Sequence, residues 1–143
     1  MRWSGETAFP PPKVIPAGVN FAIPSREPGR DIPCRVIYPS NRTCDADRKQ
    51  CKGTVMHIHG GGWVLGDEKS SDTLLQFYAD TGDLAVVSVG YRLAPEHPFP
   101  QGPEDCLDAG EWMVKNAEKT YGAPLRFIGG EVRFLISYYD YLL

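Results

Sequence analysis

Hydrophobic positions along this chain follow two patterns that change near residue 54. Upstream, Val19 to Ile23 and Ile32 to Tyr38 are short extended segments. Between them Pro24-Ser25-Arg26-Glu27-Pro28-Gly29-Arg30-Asp31 is dense in turn formers, so the pair predicts a hairpin. Residues 39–53 are polar and read as a loop. From Thr54 onward apolar runs alternate with helical periodicity. The runs Val55 to Ile58, Leu84 to Val89 and Leu125 to Ile128 lack polar alternation, which predicts parallel strands buried on both faces. Ser70 or Ser71 stands as N-cap of a helix running through Leu74, Leu75, Phe77 and Tyr78, with Gly82 closing it. Pro103 suits a first helical turn, and Glu104 and Asp105 follow at the positive end of the dipole. Cys106, Met113, Val114, Ala117 and Tyr121 mark one face of that second helix, and Gly122 supplies its stop. A hairpin followed by β-α-β-α-β is an α/β protein with a mostly parallel sheet. Residues 1–18 are Pro-rich and irregular, an arm on the surface or partly disordered.

Composition narrows the partners. At 143 residues and 42% hydrophobic, the chain suffices for one domain with a real core. A net charge of −3 without any basic cluster argues against nucleic acid or an anionic membrane. No apolar leader opens the chain, and no run approaches the ~18 apolar residues of a membrane span, so a cytoplasmic protein is expected. Cys44 and Cys51 flank a polar stretch that a disulfide would close into a small loop. In a reducing compartment they, Cys34 and Cys106 are expected as free thiols. His57 and His59 have no carboxylate or further histidine close in sequence and read as strand-end histidines. No metal or cofactor is implied.

The candidate chemistry sits where the first buried run ends. In His59-Gly60-Gly61-Gly62-Trp63, three glycines leave backbone N–H groups unobstructed by Cβ and open to dihedrals closed to other residues. Such groups can hold a developing negative charge in acyl transfer. Gly66-Asp67 follows shortly. Tyr91-Arg92-Leu93-Ala94-Pro95-Glu96 comes directly after the second buried run, and Gly129-Gly130-Glu131 after the third.

Taken together, these blocks resemble the hormone-sensitive-lipase-like branch of the α/β-hydrolases over roughly residues 19–131, the N-terminal part of that family's catalytic domain. The resemblance implies an incomplete α/β-hydrolase fold and a serine esterase or lipase acting on small-molecule esters without a cofactor. It also implies site roles. The amides of Gly61 and Gly62 would form most of the oxyanion hole, with Gly60 shaping the loop. His59 would pin the loop, and Arg92 with Glu96 would make a buried polar network under the site. Where the family carries its nucleophilic serine, directly after Gly-Glu, this chain has Val132. Valine has no atom that attacks a carbonyl. Ser88 lies inside a buried strand and Ser137 has no glycine nearby, so neither fits Gly-x-Ser-x-Gly. His97 belongs to the Pro-rich block and is no stand-in for the general base.

Residues 132–143 continue no pattern of the preceding sheet. Val132-Arg133 can be encoded by a splice-donor-like GTGCGT, and the apolar residues beyond are what AT-rich noncoding sequence encodes. A retained intron or misplaced gene end is therefore expected, with the last strand left as an exposed apolar edge, poor solubility and no esterase activity. Two alternatives stay open: a non-catalytic binding module, and a product with no role of its own.

Overall fold

The computed structural model describes residues 12–131. The predicted hairpin is formed by β1 (Val19–Pro24) and β2 (Asp31–Ile37), antiparallel and in register from Val19 opposite Val36 to Pro24 opposite Asp31. Gly29 takes φ 78 in the connecting turn, where only glycine is unstrained. The apolar runs form β3 (Gly53–Ile58), β4 (Leu84–Val89) and β5 (Leu125–Gly130). All five strands join one sheet in the order β1-β2-β4-β3-β5. β2 meets β4 antiparallel, while β3 runs parallel to both β4 and β5. The loop expected over 39–53 contains one helical turn, α1 (Asp45–Arg48), whose Arg48 guanidinium lies 5.0 Å above the Tyr38 ring.

α2 (Asp72–Gly82) and α3 (Gln101–Tyr121) cover opposite faces of the sheet. Ser71 is the N-cap of α2, although its side chain makes no capping bond. Gly82 does not close the helix. The left-handed residue is Asp83, at φ 56, a position Asp tolerates better than most residues, and Arg42 holds its carboxylate at 2.8 Å. Gly82 provides room instead, since a Cβ there would lie 2.4 Å from Cδ1 of Leu84. Of the apolar residues expected along this helix only Leu75 is buried, together with Ala79 and Asp72. Leu74, Tyr78 and Phe77 are exposed, Phe77 at 63%. The buried positions 72, 75 and 79 keep helical spacing, and Phe77 lies two residues off that stripe.

In α3, Cys106, Ala109, Met113, Ala117 and Tyr121 pack on Met56, Ile58, Ala85, Val87 and Val89. Val114 is 72% exposed, because position 114 turns about 100° away from the stripe centred on Met113. Gly122 ends the helix at φ 77 as expected, and a Cβ there would meet the Lys49 carbonyl at 2.0 Å. Burial on both faces holds for β3 and β4 but not for β5. Among the described residues β5 is an edge strand, and Phe127 is 65% exposed. All four cysteines are free, and no described helix is long and apolar enough to cross a membrane. The expectations placed on Val132, Ser137 and the rest of 132–143 lie outside the described residues.

Candidate functional site

Parallel pairing brings the C-terminal ends of β3, β4 and β5 together, and the three sequence blocks leave the sheet side by side. From β3 the chain enters His59, which is fully buried. Its Nδ1 lies 2.7 Å from the Gly60 carbonyl oxygen. A carbonyl only accepts, so Nδ1 carries the proton and donates it. The ring stacks on Tyr91 at 4.2 Å and 10°, and the Tyr91 hydroxyl donates to the His59 carbonyl at 2.7 Å. Burial pushes the imidazole pKa down, against the opposing bond to Gly60. The neutral ring is thus a bracket between two turns of backbone.

Beyond His59 the loop reverses. Gly61 takes φ 121 and Gly62 φ 63, both in the left-handed half of backbone space. At Gly61 a side chain is also excluded by space, because its Cβ would lie 2.1 Å from the Leu65 carbonyl oxygen. That closeness comes from the turn itself, in which Val64 and Leu65 donate to the Gly61 carbonyl at 3.2 and 3.1 Å. No amide of Gly60, Gly61 or Gly62 donates to a described backbone carbonyl. Gly62 faces open space, with nothing within 4 Å of a Cβ built on it. Trp63 is left-handed as well, at φ 67, which its sequence did not signal. Its indole lies 4.9 Å from Tyr91 and its carbonyl accepts from Ala94 at 2.8 Å.

Two further glycines frame the loop. Gly66, at φ 95, lies so close to His59 that a Cβ would stand 2.6 Å from Nδ1. A Cβ on Gly60 would stand 2.9 Å from Oε2 of Glu131, so the acid that follows β5 rests against the start of the glycine loop. The Glu131 amide donates to Ile58 at 3.3 Å.

Beneath the loop, Arg92 forks onto Asp105 at 3.0 and 2.9 Å, and its backbone amide donates to the same carboxylate at 3.0 Å. Glu27 from the β1–β2 turn approaches Arg92 at 2.8 Å, and Arg30 from that turn also reaches Asp105. Burial opposes the Arg92 charge, but the bonds to Asp105 and Glu27 raise its pKa. Glu96, expected in this network, is exposed; the acid buried against Arg92 is Asp105. The reason is topological. Asp105 is buried in the first turns of α3, whereas Glu96 lies in the exposed stretch after β4. Sequence had placed Asp105 only at a helix dipole, and an arginine thirteen residues before an acid carries no periodic signal.

Ser88 is fully buried in β4. Burial pushes the Cys34 thiol up to about 12 and that of Cys106 up further, so neither is a thiolate. His97 is exposed beside Gln101, with Nδ1 3.1 Å from its Oε1. His57 is buried with both ring nitrogens unpartnered among the described residues, and burial lowers its pKa. Among those residues no cluster of three His, Cys, Asp or Glu is placed to hold a metal. Beside the loop lies a groove of about 430 Å³, lined by Pro12, Val64, Leu65, Gly66, Asp67, Ser70 and Leu93.

Comparison with known proteins gives consistent matches. Residues 55–131 match a family described as alpha/beta hydrolase fold. A carboxylesterase of Mycobacterium tuberculosis is 37% identical over 120 residues, covering 81% of this chain and 35% of the relative. An arylesterase of Saccharolobus solfataricus is 38% identical over 87 residues, 61% of this chain and 26% of its own. The solved hyperthermophilic esterase of Pyrobaculum calidifontis superposes with a TM-score of 0.67 at 35% identity, over 82% of this chain and 35% of that one. The chain thus spans about a third or less of the length of these relatives.

Proposed function

The chain belongs to the alpha/beta hydrolase fold family, and from that premise we propose that residues 59–62 are the charge-stabilising loop of a carboxylic-ester hydrolase. The observation that carries the reading is the backbone of Gly61 and Gly62. Both hold left-handed dihedrals at the end of a parallel strand, with amides committed to no described carbonyl. In ester hydrolysis an attacked carbonyl becomes a tetrahedral oxyanion, and fixed N–H donors stabilise that charge without reorganising. His59 and Gly66 hold the loop that presents Gly61 and Gly62, with Gly60 shaping its entry. Arg92 and Asp105 brace the floor. A serine nucleophile would attack the ester, pass through an acyl-enzyme and release acid after water attack. Small-molecule esters are the substrate class. Four free thiols support a reducing, cytoplasmic setting.

Val132 stands where the resemblance assigns that serine, so the 143-residue chain by itself performs no acyl transfer. The same residue favours a second reading, a non-catalytic module that keeps the loop. Incubating the purified chain with p-nitrophenyl acetate tests the first statement. No turnover above buffer is expected, and saturable turnover contradicts it. The genomic sequence tests the origin of the tail. An open frame beginning Ser-Ala-Gly is expected downstream of the Glu131 codon, and its absence overturns the intron reading in favour of the module.

A further inference from the structure

Arg35 on β2 and Asp72 at the start of α2 form a buried ion pair outside the glycine loop, with side chains 4% and 0% exposed. The guanidinium is fully committed. Nε donates to the Asp72 carboxylate at 2.9 Å, and Nη2 donates both to Asp72 Oδ2 at 2.9 Å and to the Ile15 carbonyl. Nη1 donates to the Gly18 carbonyl at 3.1 Å and to Asn20 Oδ1 at 2.7 Å. The five N–H donors of an arginine are all used, which a lysine with three donors cannot reproduce. Asp72 in turn accepts the Ile15 amide at 2.8 Å. The pair therefore holds Ile15 by both its N–H and its C=O.

That grip acts on the groove. Pro12, three residues before Ile15, lines it together with Leu65, Gly66, Asp67 and Ser70. Residues 67–70 are tied to Asp72 through backbone: the Asp72 amide donates to Lys69 at 3.2 Å, and Ser70 and Asp67 bond each other across the same turn at 2.8 Å. Both segments thus meet at Asp72, residues 12–18 through its carboxylate and residues 67–70 through its backbone amide. We propose that Arg35 and Asp72 are positioning residues whose pair locks residues 12–18 to the return of the glycine loop and so sets the width of the groove beside it. The pair is built of contacts among described residues alone and stands apart from the ester-hydrolase reading.

Hydrogen exchange on the full chain at low protein concentration, with trypsin cleavage after Lys13, tests this. In Arg35→Lys the charge remains but the arm bonds do not. Amides of 12–18 and of 63–70 are expected to lose protection together, roughly tenfold or more, the scale of one lost charge-assisted bond. Cleavage at Lys13 should rise while β3 and β4 stay protected. Ile15→Pro removes one donor to Asp72 and leaves the ion pair intact, so the test survives if Arg35→Lys fails to fold. It should loosen both segments as well. Release of 12–18 with 63–70 unchanged overturns the coupling. Equal loss across β3 and β4 makes the pair a general stability element and also overturns it. No change in Ile15→Pro does the same.

Discussion

His59 and Gly66 show how one side chain and one missing side chain define a loop. A methyl group at Gly66 would meet the imidazole at 2.6 Å in a backbone region that L residues avoid, so Gly66→Ala should destabilise the fold by about 2–4 kcal/mol. Gly62→Ala meets nothing and carries only the backbone cost, roughly 1 kcal/mol. Urea unfolding midpoints at unchanged slope should rank the two in that order; equal losses would mean that His59 does not brace the loop. The same imidazole sets a pH limit. Burial depresses the folded-state pKa values of His57 and His59 below the ordinary 6.5, so the unfolded chain binds protons first as pH falls. Their contribution is complete above about pH 6.5 and is lost on acidification from there through the depressed folded values. The loss reaches up to about 1.4 kcal/mol per pH unit for each histidine. Stability flat between pH 7.5 and 5 would contradict neutral, buried rings. Of these residues, sequence made the glycine triplet, His59 and Arg92 legible. It did not reveal Asp105, whose partnership with Arg92 arises only when α3 folds back onto β4.

Secondary structure was readable where burial was two-sided. β4 spans Leu84–Val89, the same residues as its apolar run, and the hairpin and Gly122 stop agree closely with their signals. Faces were harder. On α2 and α3 the apolar residues exceed what a single sheet face can cover, so Phe77 and Val114 are apolar by composition yet exposed by geometry. Gly82 was read as a cap because glycine commonly serves there, whereas its neighbour Asp83 takes the left-handed role and Arg42 holds it. β5 is the element most exposed to association. Phe127 lies opposite Val55 on the sheet face that α2 covers, at an edge with no further described strand. Phe127→Lys should lower self-association in light scattering while leaving the circular dichroism unchanged, since a charged residue blocks edge pairing. If scattering is unaltered, the open edge is not what drives association.

At the scale of the molecule, the five-stranded sheet and the helices on its two faces among the described residues position a loop, a floor and a groove, and the family match runs over residues 55–131. The family reading was legible because each motif directly follows an apolar run in sequence, and those runs become neighbouring parallel strands in the order β4-β3-β5. The groove was not legible, since its lining joins Pro12, residues 64–70 and Leu93, segments far apart in sequence. The central claim is that residues up to Glu131 supply a working oxyanion loop and the residues beyond supply no nucleophile. It is tested most directly by joining residues 1–131 to the remaining C-terminal portion of the M. tuberculosis carboxylesterase relative and measuring p-nitrophenyl acetate hydrolysis. The expected result is turnover in the joined protein that Gly61→Ala, whose Cβ would meet the Leu65 carbonyl oxygen at 2.1 Å and so displace the loop amides, lowers by about a hundredfold or more, the scale of a misplaced oxyanion donor. A joined protein that folds, as judged by near-UV circular dichroism, yet hydrolyses no ester would contradict the account.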